Sequence, residues 1–98
     1  MLLNDFVNWA DSIASKVDSK ISTEASTNFV LPKKSAWLNF FWRDQYSHIQ
    51  VWDSGEYEIE HRIGDQDHPE IYEYGEHIES SQFEQVFSRV TNIYLSKS

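Results

Sequence analysis

The chain has no cysteine, only three glycines and only two prolines among its 98 residues. Without cysteine there is no disulfide framework, no thiolate zinc site and no cysteine nucleophile, and a reducing cytoplasm is the natural compartment. So little glycine and proline beside 40% hydrophobic residues describes a core former rather than a disordered tail. Long apolar runs are missing as well. The N-terminal stretch MLLNDFVNWADS has neither a basic leader nor an unbroken hydrophobic segment, so neither a signal peptide nor a membrane anchor is expected. A chain of this length makes one small domain, residues 1–98, able to bury about 60 to 65% of its unfolded surface.

Positive charge is scarce: eight Lys and Arg stand against sixteen Asp and Glu, a formal net charge of −8. The imbalance is local. Asp53, Glu56, Glu58, Glu60, Asp65, Asp67, Glu70, Glu73, Glu76 and Glu79 face Arg62 alone, a balance of −9, whereas the other 71 residues carry six acids and seven bases.

Periodicity places that stretch in a fold. Leu3, Phe6, Val7, Ala10, Ile13, Ala14, Val17 and Ile21 follow helical spacing and predict a helix over 2–22. STEASTN reads as a polar connector, and Phe29, Val30 and Leu31 as a short edge strand ended by Pro32. From Ala36 the period becomes two. AWLNFFWRD alternates Ala36, Leu38, Phe40 and Trp42 with Trp37, Asn39, Phe41 and Arg43; DQYS is a turn; HIQVW is a second strand; DSG is a tight connection. EYEIEHRI sets Tyr57, Ile59, His61 and Ile63 against Glu56, Glu58, Glu60 and Arg62, and EIYEY is a fourth strand. Phe83, Val86, Phe87, Val90, Ile93 and Tyr94 predict a closing helix over 82–95 behind a capping box of Ser81 and Glu84. The expected class is α+β: an antiparallel meander of three or four strands, with an N-terminal and a C-terminal helix packed on one face and the other face open.

Several chemistries lack their residues. Ten carboxylates compete and none is singled out as an acid–base pair, so a solvated acidic face is the better account. His48, His61, His68 and His77 match no metal-ligand spacing, and no Gly-rich phosphate loop, G-x-S-x-G or dinucleotide fingerprint is present. No catalytic residue, cofactor or metal is therefore expected. Trp37, Phe41 and Trp52 could stack on bases, but the negative charge would repel phosphates, so direct nucleic-acid binding is not expected. What remains is a protein interface in which aromatics are framed by charge of one sign. Its candidate contacts are Trp52, Asp53, Glu56, Glu58, Glu60, Asp65, Asp67, Glu70, Tyr72 and Glu73.

The segment AWLNFFWRDQYSHIQVWDSGEYEIE, an aromatic meander running into an acidic strand between two helices, resembles the small cytoplasmic immunity proteins of bacterial contact-dependent growth inhibition and related polymorphic toxin systems. It is more specifically similar to the group whose cognate toxins are tRNA-cleaving nucleases acting with elongation factor Tu. The resemblance implies a non-enzymatic cytoplasmic antitoxin. It would bind the C-terminal nuclease domain of its own system's toxin, with elongation factor Tu as a further candidate partner in a ternary complex. A chaperone or adaptor for a basic secreted effector, and a small hydrolase or metal-binding domain without a recognisable motif, are the alternatives that stay open.

Overall fold

The computed structural model describes residues 2–29, 33–65 and 67–97. Helix α1 (Leu2–Ala14) is followed by strands β1 (Ser22–Asn28), β2 (Ser35–Trp42), β3 (Gln45–Trp52), β4 (Tyr57–Ile63) and β5 (Ile71–Gly75), a 3-10 turn (Ser80–Gln82) and helix α2 (Phe83–Leu95). The strands form one antiparallel sheet in the order β1-β2-β3-β4-β5. The α+β meander between two helices is as expected, but it has five strands rather than three or four.

The additional strand is STEASTN, which reads as a connector because an exposed edge strand of Ser, Thr, Glu, Ala and Asn carries no alternation of apolar and polar residues. Its order comes from the backbone ladder with β2, Ser22 opposite Phe41 through Asn28 opposite Ser35. The edge strand expected at Phe29–Leu31 does not form at Phe29, which lies 52% exposed beyond the end of β1; Val30, Leu31 and Pro32 fall outside the described residues.

Helix α1 stops at Ala14, eight residues short of the expected end. Val17 and Ile21 do pack inward, as the periodicity required, but from a turn. The cause is local: Asp18 accepts the Lys20 amide on its side chain at 2.9 Å and the Ile21 amide on its carbonyl at 2.9 Å, bonds that compete with a continuing helix. The start of α2 also differs. The capping box pairs Glu79 with Gln82 around the 3-10 turn, not Ser81 with Glu84, and Glu84 instead receives the Trp9 indole N–H at 2.9 Å and ties α2 to α1. Between β2 and β3 the connection tightens to Arg43 and Asp44, with Arg43 at φ 55°.

Both helices lie on one side of the sheet, α1 across β1 to β3 and α2 against β4. They cover Ala36, Leu38, Phe40, Ile49, Val51 and Ile59, all completely buried. Phe6, Phe83 and Phe87 meet edge-on and stacked between the helices, and Tyr94 stacks on Phe40 with centroids 4.3 Å apart.

A chain of three polar side chains lies inside this core. His61 Nδ1 is 2.5 Å from Ser47 Oγ, which is 2.6 Å from the Tyr94 hydroxyl. With neutral imidazole, Tyr94 donates to Ser47 and Ser47 donates to His61, so every member is satisfied. Burial pushes the His61 pKa below its ordinary 6.5 and the Tyr94 pKa above 10.0. The unfolded chain thus binds a proton at a pH where folded His61 does not. Stability should be complete above pH 6.5 and decline as pH falls from 6.5 toward the lowered value. Urea midpoints at pH 7.5 and 5.5 test this. The decline should be present in the wild type and smaller in His61→Gln; an equal decline in both would place its source elsewhere.

Candidate functional site

Alternation along five registered strands determines what the uncovered face presents. Its rows run Ser22–Phe41–Tyr46–Arg62, then Glu24–Asn39–His48–Glu60–Tyr72, then Ser26–Trp37–Gln50–Glu58–Tyr74. No described helix covers these rows. Phe41, Tyr72 and Tyr74 are exposed by 41, 54 and 52%, values that would be unusual for core aromatics.

Beneath the aromatics a polar chain crosses β2 and β3. Gln50 donates from Nε2 to Ser35 Oγ at 3.1 Å, which turns its Oε1 toward His48 Nε2 at 2.9 Å, and His48 Nδ1 lies 2.5 Å from Asn39 Oδ1. Asn39 and Ser35 are 8 and 3% exposed although they belong to the open side, so their larger neighbours shield this chain from water. A connected network of this kind fixes side chains before any partner arrives.

The carboxylates are arranged rather than scattered. Glu56, one residue before β4, takes Lys33 Nζ at 2.8 Å and the Ser54 hydroxyl, and these hold its carboxyl at about 2. Lys33 in turn sits 5.8 Å over the Trp52 ring, so Trp52, Lys33 and Glu56 form one corner. Glu60 is forked by Arg62, whose pKa it raises. Glu58 accepts from the Tyr72 hydroxyl at 3.1 Å, and that bond raises the Tyr72 pKa. Tyr46 is also raised, by burial first and then by the neighbouring carboxylates of Glu60, Glu24 and Glu58.

Of the expected contacts, the structure brings together Trp52, Glu56, Glu58, Glu60 and Tyr72. Asp53 lies exposed in the β3–β4 turn, Asp65 and Asp67 in the β4–β5 connection, and Glu70 at the start of β5. Glu73 is on the opposite side, where it accepts from Tyr57 at 2.8 Å and pairs with Arg89 of α2 at 3.1 Å, so one flat interface cannot include it with the others. Sequence reasoning missed Lys33, Tyr46, His48 and Gln50. Strand parity alone could have found the last three, since each is two residues from the next along HIQVW and its preceding turn.

Among the described residues no group of three or more His, Asp or Glu side chains gathers as a metal would require, and no helix is long and apolar enough to cross a membrane. The model of a protein family described as immunity protein TriTu matches residues 4–93, which take in all five strands and most of both helices. No curated protein and no solved structure matches the chain.

Proposed function

Because the chain belongs to the TriTu family of immunity proteins, we propose that it is the antitoxin of a bacterial toxin system and that it binds the toxin domain through the open face over β3 to β5. The toxin domain is taken to be a basic nuclease that cleaves tRNA. Carboxylates ordered on a rigid sheet would occupy the groove that otherwise holds phosphates, and inhibition would be by occlusion in the cytoplasm without turnover. The observation that carries this reading is the open face itself: aromatic, negatively charged, held by its own polar network, and on the side of the sheet that neither helix covers.

The test is stoichiometric. Titrating the protein into the toxin domain of its own system should abolish tRNA cleavage at one equivalent, and a toxin that stays active in excess antitoxin would refute the proposal. Within the complex, Trp52→Ala and Tyr72→Ala should speed dissociation by roughly tenfold or more if these rings are anchors, with smaller changes in association. Stopped-flow displacement separates the two rates.

A further inference from the structure

Arg62 is the one base among the ten acids of 53–79, and it stands on the open face opposite Tyr46. Its guanidinium forks Glu60, with Nε 3.2 Å from Oε1 and Nη2 3.3 Å from Oε2. Directly across from Glu60 is Tyr72, and beside this pair Glu58 stands opposite Tyr74. Two exposed phenol rings therefore flank two carboxylates, one of which already holds a guanidinium. A planar cation that forks a carboxylate and lies on an aromatic face suits this arrangement, and a guanidinium does both; an ammonium is a point charge without the fork.

Building on the acidic-face reading above, we propose that Arg62 keeps the place of an arginine side chain of the toxin. On docking, the incoming guanidinium takes Glu60 against the Tyr72 and Tyr74 rings, and Arg62 swings into solvent. The exchange is feasible because the resident pair is solvent-accessible, its side chains 37 and 22% exposed. Losing such a pair changes affinity only by roughly two- to fivefold. Arg62 thus acts as a resident competitor that an incoming arginine must displace, and a partner without an arginine at this point leaves the Arg62–Glu60 pair in place.

The experiment is an NMR titration of the full chain with two capped hexapeptides, six arginines and six lysines, using wild type, Arg62→Gln, Glu60→Gln and Arg89→Gln. Arg89 lies on the α2 side, so its loss removes the same charge away from the face. The arginine peptide should shift the amide signals of Glu60, Tyr72 and Tyr74 and bind roughly two- to fivefold more tightly than the lysine peptide. Arg62→Gln should tighten the arginine peptide by a similar factor, more than it tightens the lysine peptide and more than Arg89→Gln does; Glu60→Gln should remove the preference. An arginine peptide that reaches the face equally well in wild type and Arg62→Gln overturns the exchange and leaves the acidic face standing. Peptides that perturb none of these residues overturn both.

Discussion

Phe87→Ala should lower stability by about 3 to 5 kcal/mol, a large part of the roughly 5 to 15 kcal/mol that holds a domain of this kind together. Phe87 is completely buried, and its ring meets Phe6 at 6.0 Å, Trp9 at 5.4 Å, Tyr57 at 5.8 Å and Phe83 at 5.9 Å. Both helices and β4 therefore border the cavity that truncation would leave, and none can close it without giving up another contact. Phe40→Ala should cost about the same, since Phe40 is buried in β2 and stacks on Tyr94. The nearby exposed pair Arg89–Glu73 should contribute only about 0 to 1 kcal/mol, so packing rather than that ion pair joins α2 to the sheet. Urea denaturation checks the ranking. A loss below about 1 kcal/mol for Phe87→Ala, under the range for a buried aromatic, would contradict the core described above.

Replacing Glu56, Glu58 and Glu60 together by Gln should slow association with the toxin domain on the order of tenfold at low salt, while the fold persists. The three side chains keep their shape and lose their charge, and the formal net charge moves from −8 to −5. The effect should exceed that of Glu58→Gln alone, because Lys33 and Arg62 lose their partners and then add positive potential to the face. Raising salt from 0.01 to 0.15 M, which shortens the Debye length from about 30 to about 8 Å, should narrow the difference between variant and wild type. The pairs removed lie at the surface, where such ion pairs add little to stability, so thermal unfolding should shift little. An unchanged association rate in a folded triple variant at low salt would reduce the acidic stretch to a solvated surface.

Much of this arrangement was legible in the sequence, and each exception has its own physical cause. β3 and β4 alternate because one side packs under the helices and the other does not, and β2 follows them apart from Ser35 and Asn39, so most faces could be assigned residue by residue, down to His61 pointing inward. β1 could not be recognised because no burial imprints a pattern on it; its seven residues owe their place to the ladder with β2. The periodicity that ran on to Ile21 reported burial correctly and helix wrongly, since a turn around Asp18 delivers Val17 and Ile21 to the same core. At the candidate site, composition located the charge but could not say which carboxylates stand together. Glu73 shares the acidic run with Glu58 and Glu60 yet turns to Arg89, because β5 alternates as strictly as β4. Lys33 was invisible for the opposite reason: it is distant in sequence from Glu56 and Trp52 and meets them only across the folded sheet.

The most direct test of toxin binding through the open face is a footprint of the complex. Isotope-labelled protein mixed with the unlabelled toxin domain of its own system should show cross-saturation at Trp52, Glu58, Glu60, Tyr72 and Tyr74, while the exposed positions of α1 and α2 stay unaffected. Saturation confined to the helix layer, with the open face unchanged, would contradict that account.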